Sequence, residues 1–171
     1  MGFGFGPQFQ PPPLSEDEVF AALQRLAART GILYEDRSDW LIPLIIEHDA
    51  SGGRVPFDRA ARSHPSLPDT LTEKGLANLD EALAAIQMCA IFERSRRRAT
   101  ERPLEEGWRY HLSAVKDRRT CAAAIALHGQ YFDAAPELPL PGCDALNCRC
   151  SLLRMSPSSQ KRHPPPPVPG S

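Results

Sequence analysis

Four of the five cysteines in this chain, Cys121, Cys143, Cys148 and Cys150, crowd into one short stretch in the pattern C-x21-C-x4-C-x-C. Thiolates are soft, basic ligands, and four of them can close a tetrahedron around Zn²⁺. Such a centre would tie the proline-rich segment between Pro136 and Pro141 to the start of a helix, and its binding free energy would be folding free energy. With four protein ligands no coordination position is left for water, so the expected zinc is structural and not catalytic. Other readings stay open: two disulfides in an oxidising compartment, unbonded thiols, or an iron–sulfur cluster. C-x-C is also a less usual zinc spacing than C-x2-C. Cys89 falls among Ala82, Ala85, Ile86 and Phe92 at helical spacing and reads as a small core residue.

Other residues that could do chemistry are sparse. Glu47-His48-Asp49 has no second cluster of ligands or acids to work with and reads as a solvated helix end. His111 or His128 could pair with Cys121 as base and nucleophile, but a zinc-ligated thiolate is not free to attack. No phosphate-cradling glycine loop, H-E-x-x-H helix or serine elbow is present, and no catalytic residue is assigned. Arg94, Arg96, Arg97 and Arg98 form a local basic run that could meet phosphate, although acidic Glu101, Glu105 and Glu106 follow closely.

The elements that must position these groups can be read from caps and periodicity. Ser15 and Glu18 form a capping box, and Val19, Phe20, Leu23, Leu26 and Ala27 then recur at helical spacing until Gly31. Trp40 to His48 predicts a second helix, with Pro43 in its first turn or at a kink. Thr70 and Glu73 predict a further capping box opening the strongest helix, through Leu76, Leu79, Leu83, Ile86 and Ala90 to about Ala99. From Trp108 alternation predicts a short strand, Arg118 to Leu127 a helix closed by Gly129, and Gln130 to Phe132 a second strand.

The expected architecture is α+β but mainly α: N-terminal helices over 14–103 and a small β-α-β, cysteine-clustered module over 104–155. Tails at 1–13, of Gly, Phe, Gln and Pro, and at 156–171, rich in Pro and Ser, are expected to be disordered, and Pro164–Pro167 has the composition of a polyproline II ligand. The charges nearly cancel, 20 Lys and Arg against 21 Asp and Glu, which excludes a global field for nucleic acid or an anionic membrane. The longest apolar run, Leu41 to Ile46, is far short of the roughly 20 residues a spanning helix needs. The first residues lack the pattern of a secretory signal, so no membrane anchor and a cytoplasmic location are expected.

Asp117-Arg-Arg-Thr-Cys121, Ala126-Leu-His-Gly-Gln-Tyr-Phe132 and Asn147-Cys-Arg-Cys-Ser-Leu152 together resemble the C-terminal part of phage head morphogenesis proteins of the Mu F-like minor head type. The likeness covers about residues 80–154. It implies a non-enzymatic structural or interaction protein whose partner is a portal or capsid component, in the cytoplasm or the virion. The chain departs from that pattern in three places. Ala124 stands where the family has a second cysteine, His128 replaces an aspartate, and Gly142-Cys143-Asp144 intrudes before the final motif. Cys143 would then supply the thiolate lost at Ala124, with His128 in reserve. Leu138-Pro-Leu-Pro-Gly-Cys143 also looks like small bacterial proteins that share this ending. Two alternatives accompany the structural reading: a small zinc-binding protein that contacts nucleic acid or a regulator through Arg94, Arg96, Arg97 and Arg98, and a cysteine-dependent enzyme or toxin-like domain.

Overall fold

The computed structural model describes residues 11–167. The chain is α+β and mainly helical: among the described residues there are eight α-helices and a three-stranded antiparallel sheet that begins at Arg109.

Helix α1 (Glu16–Thr30) begins at the expected capping box. The Ser15 hydroxyl accepts from the Glu18 N–H at 3.1 Å, and the Glu18 carboxylate accepts from the Ser15 N–H at 2.9 Å. Gly31 ends it at φ 68°, in the left-handed region where a side chain would be strained, and its N–H returns to the Ala27 carbonyl. Val19, Ala22 and Leu23 are fully buried against α6 (Leu79–Thr100). In α2 (Leu41–Ala50) Pro43 lies in the first turn, where a missing N–H costs nothing.

The Pro- and Ser-rich connection holds two helices the periodicity did not disclose, α3 (Phe57–Arg62) and α4 (Leu67–Thr70). Both are under two turns long, too short to show a period, and are fixed by burial of Phe57, Ala61 and Leu67. The predicted cap at Thr70 is corrected. Thr72, not Thr70, caps α5 (Glu73–Ala77), its hydroxyl accepting from the Gly75 N–H at 3.2 Å. Thr70 is buried and accepts from the Trp40 indole at 2.8 Å. Asn78 then separates α5 from α6, so the predicted single helix is two. Gly75 packs so closely on this turn that an added methyl would overlap the Ile32 carbonyl.

Glu18 joins α1 to α6 through Arg94 at 2.5 Å and Arg97 at 2.7 Å. The Arg94 hydrogen bond first, with the Ser15 N–H and Arg97, outweighs burial and lowers the Glu18 pKa from 4.5 to about 2. A depressed carboxylate stabilises the fold above its unfolded pKa and loses that contribution as pH falls through its folded value. Glu18→Gln should therefore cost ~1–2 kcal/mol at neutral pH, a figure discounted for partial exposure. In thermal melts the gap between the variant and the native chain should close between pH 4.5 and about 2. A gap that persists unchanged at pH 2 would show that packing, not charge, is lost.

The sheet has the order β2-β1-β3, from β1 (Arg109–Ser113), β2 (Tyr131–Phe132) and β3 (Ser151–Met155). Helix α7 (Ala122–Leu127) connects β1 to β2 and is followed by Gly129 at φ 82°. β1 falls where alternation placed it and β2 within the expected Gln130–Phe132 segment; β3 was not foreseen. One face, carrying Tyr110, Leu112 and Leu152, is buried in a second core with Cys121, Ala124, Leu140, Cys148 and Cys150. The other face carries His111, paired across the strands with Tyr131 and Leu153. Arg154 of β3 donates to the carbonyls of Ala99, Arg102 (2.6 Å) and Pro103 (2.8 Å), capping the C-terminal end of α6 and fixing the sheet to the helices.

Residues 156–167, expected to belong to a disordered tail, are ordered. Ser156 caps α8 (Pro157–Arg162), with Pro157 at its first position, and Gln160 donates to the Gly107 carbonyl at 2.8 Å. The serine cap and the proline at the first helical position are a helix-start signal that the surrounding prolines obscured. Residues 11–13 of the other expected tail are described and lie against α6, where Arg94 donates to the carbonyls of Pro12 and Pro13; residues 1–10 and 168–171 lie outside the described residues.

Candidate metal centre

Three separate segments deliver the four sulfurs. Cys121 stands at the N-cap of α7, after a turn in which the Asp117 carboxylate accepts from the Arg119 N–H at 2.9 Å and Thr120 returns to the Val115 carbonyl. Cys143 follows a turn at Pro141-Gly142, where Gly142 has φ 78° and the Cys143 N–H donates to the Leu140 carbonyl at 2.9 Å. Cys148 and Cys150 lie on the approach to β3. Alternation continuing out of the strand buries both together with Leu152 and leaves Arg149 half-exposed. That alternation is why a C-x-C spacing presents two thiols on the same side.

All four thiols line one small gap, together with Val115, Thr120 and Asn147. Cys121, Cys148 and Cys150 are buried, Cys143 is half-buried, and none of the four is in a disulfide. Hydrogen bonding from the Cys150 thiol is the largest of several effects that lower the Cys148 pKa to about 5; the Arg96 charge and the Cys143 thiol act the same way against burial. Cys143 is raised to about 11, by burial first and then by its Cys148 and Cys121 neighbours. Cys150 is raised by its bond to Cys148 and by burial. The cluster thus favours one thiolate surrounded by thiols.

Arg96 of α6 reaches into this loop. It donates to the Cys150 carbonyl at 3.0 Å, to the Cys148 carbonyl at 3.0 Å and to the Cys148 Sγ at 3.3 Å. Arg29 of α1 holds the preceding turn through the carbonyls of Ala145 (2.6 Å) and Leu146 (3.0 Å). Arg149 pairs with both oxygens of Asp117 at 2.7 and 2.8 Å, joining the C-x-C segment to the turn before Cys121. This pair, chiefly the Arg149 hydrogen bond, also holds the Asp117 carboxyl below its ordinary range. None of these roles was read from the sequence. The Asp117–Arg149 pair had a signal, opposite charges inside two cysteine motifs; Arg29 and Arg96 had none, because their partners are backbone carbonyls.

The remaining candidates are placed elsewhere. Cys89 is half-buried on α6, its thiol donating to the Ile86 carbonyl at 3.2 Å and pushed up to about 12 by burial. His128 accepts from the Ala114 N–H at 3.0 Å and, with His111, lines a trench on the other side of the sheet, so neither histidine joins the thiols. His48 is a latch, not a solvated end. Its Nδ1–H donates to the Val55 carbonyl at 2.8 Å and its Nε2 accepts from Gln87 at 2.8 Å. Of the basic run, Arg94, Arg96 and Arg97 are engaged within the chain.

As they stand, the four thiols pack as neighbours and not as ligands: among the described residues, no group of three or more His, Cys, Asp or Glu side chains is disposed to hold a metal ion. The donor set itself matches a thiolate zinc centre in kind and number. Coordination would require the sulfurs to lose protons and draw in to ~2.3 Å from a shared centre. No helix is long and apolar enough to cross a membrane, counting the described residues. No protein-family model, curated protein or solved structure matches this chain.

Proposed function

We propose that Cys121, Cys143, Cys148 and Cys150 hold a structural zinc ion and that the chain is a non-enzymatic structural or interaction protein. The observation that supports this reading most is that three distant segments bring four reduced thiols to one gap, with Arg29, Arg96 and the Asp117–Arg149 pair holding the segments in place. Bound there, zinc supplies a crosslink between β3, α7 and the proline loop. The chain's own residues do the rest. Arg96 stabilises the thiolate form of Cys148, and Leu140, Leu152 and Tyr110 exclude water from the sulfurs.

By its resemblance to the C-terminal part of phage minor head proteins, the partner is a portal or capsid component and the location is the cytoplasm or the virion. Elemental analysis of the full chain, purified without added metal, should return one zinc, and alkylation of the native protein should spare all four clustered cysteines until a chelator is added. Metal-free protein with a Cys148–Cys150 or Cys121–Cys143 disulfide would replace this reading. Co-sedimentation with an assembled portal ring tests the partner, and its absence would remove the structural-assembly reading while leaving the metal centre standing.

The low pKa of Cys148 favours a second reading, cysteine chemistry at a reactive thiolate. Against it, Cys148 is only 6% exposed and no histidine faces it. Rapid alkylation of Cys148 in the native zinc-loaded chain would favour the second reading over the first.

A further inference from the structure

Pro164–Pro167, singled out in the sequence as a possible ligand for a proline-reading domain, already lies against this chain's own sheet. Each of residues 164–166 precedes a proline and is thereby held out of the helical region, and proline fixes its own φ, so Pro164–Pro167 is confined to extended, polyproline II-like backbone, while His163, the C-cap of α8 at φ −126° and ψ 72°, leads into it. Such a segment has no N–H groups to offer. What it presents is a column of carbonyls repeating every third residue on one side.

Two side chains hold the run, one at its entry and one within it. The Tyr131 hydroxyl donates to the His163 carbonyl at 2.6 Å, and the Gln130 amide donates to the Pro166 carbonyl at 3.1 Å. The two acceptors lie one on the lead-in from α8 and one within the proline run. Gly129 lies beneath Pro166 so closely that an added Cβ would be 2.9 Å from its ring. Gly129 is also at φ 82°, so glycine serves the turn and the contact together. Below the run, His111, Leu153 and Met155 line the floor of the trench, with Pro164 and Pro166 on its wall. The His111 ring tilts on Tyr131 at 4.9 Å between centroids and supports the Tyr131 ring. A tyrosine donor at the entry to the run, an amide donor to the Pro166 carbonyl and a glycine floor beneath the Pro166 ring form a recognition pattern for a proline run and use no property peculiar to residues 164–167.

We propose that the surface formed by Gly129 and Gln130, in the turn before β2, and Tyr131 is a docking site for polyproline II segments, and that the chain's own Pro164–Pro167 occupies it, closing it to proline-rich segments of other molecules. The tethered tail competes at an effective concentration in the millimolar range, so it excludes weak ligands in trans without needing a high intrinsic affinity. This inference is independent of the metal centre.

The test uses the full chain and a synthetic peptide of residues 161–168, Lys-Arg-His-Pro-Pro-Pro-Pro-Val. In one variant Pro164, Pro165, Pro166 and Pro167 are all changed to Ser; these residues are exposed, so the fold should be untouched. Titration followed by the NMR signals of the Gln130 side-chain amide and the His111 ring should show the peptide binding the variant at least about tenfold more tightly than the native chain. Adding Tyr131→Phe to the variant should weaken that binding. In an otherwise native chain, Tyr131→Phe should release the tail, read as faster backbone motion at Lys161–His163. Failure of the variant to bind the peptide, equal binding by variant and native chain, or a tail unmoved by Tyr131→Phe would overturn the proposal.

Discussion

Replacing Cys150 by serine should abolish zinc binding and unfold the C-terminal module while α1–α6 keep their structure. Cys150 is 4% exposed, in the core formed by Tyr110, Leu112, Ala124, Leu140 and Leu152. That core is small. β2 contributes two residues and α7 six, and the segment from Asp133 to Asn147 has no helix or strand of its own. Sets of this size gain little from apolar burial against the entropy of ordering their loops, and on the proposed reading a four-thiolate centre makes up the difference. Losing one ligand should therefore cost more than ~4 kcal/mol, in the range reserved for loss of a metal. Hydrogen exchange on the full chain reads it directly: amides of β1 and β3 should lose protection, while those of α1 and the first turns of α6 keep theirs. Cys89→Ser is the control. Its thiol serves only an Ile86 carbonyl that a serine hydroxyl can also reach, so it should cost less than ~1 kcal/mol. Equal effects at Cys89 and Cys150 would mean that burial, not ligation, is what the cysteines contribute.

Removing the Arg96 guanidinium should be the next largest loss. Arg96→Leu keeps apolar bulk beside Phe92, over whose ring the guanidinium carbon lies at 5.6 Å, but leaves the carbonyls of Cys148 and Cys150 without a donor. Charge-assisted bonds and partly buried orphan carbonyls together put the cost at about 3 kcal/mol. Arg96→Lys should recover only part, because an ammonium is a point donor and cannot fork to two carbonyls and a sulfur at once. Urea unfolding of the full chain separates these outcomes. If Arg96→Leu came within about 0.5 kcal/mol of the native chain, the clamp would be idle and the loop held by the sulfurs alone. The two substitutions share the same loop, so their effects should fall short of additive.

Long, capped, periodic elements were legible in the sequence because their signals are local. α1 announces itself by Ser15 and Glu18 and ends at Gly31, and the α6 stripe of Leu79, Leu83, Ile86 and Ala90 is plain. Elements that owe their existence to tertiary contacts were not legible. α3 and α4 are held by single buried anchors such as Phe57 and Leu67. β3 has only Leu152 buried and is defined by five backbone pairings with β1. Thr70 was misassigned because a cap and a buried hydroxyl look alike until Trp40 is seen to donate to it. At the candidate centre the spacing named the four cysteines, while the groups that converge them stayed hidden. A guanidinium that serves backbone carbonyls leaves no trace in residue identity, and so Arg96 read as one member of a basic run. The proline run showed the opposite limit: its composition allowed a ligand or an idle tail, but could not show that it lies against Gln130 and Tyr131 of the same chain.

The central claim is that Cys121, Cys143, Cys148 and Cys150 act as one ligand set. Zinc K-edge X-ray absorption on the full chain, purified without added metal, tests it most directly: the account predicts a first shell of four sulfurs at ~2.3 Å and nothing lighter. A shell containing nitrogen or oxygen at ~2.0–2.1 Å, or a chain that carries no zinc at all, would contradict it.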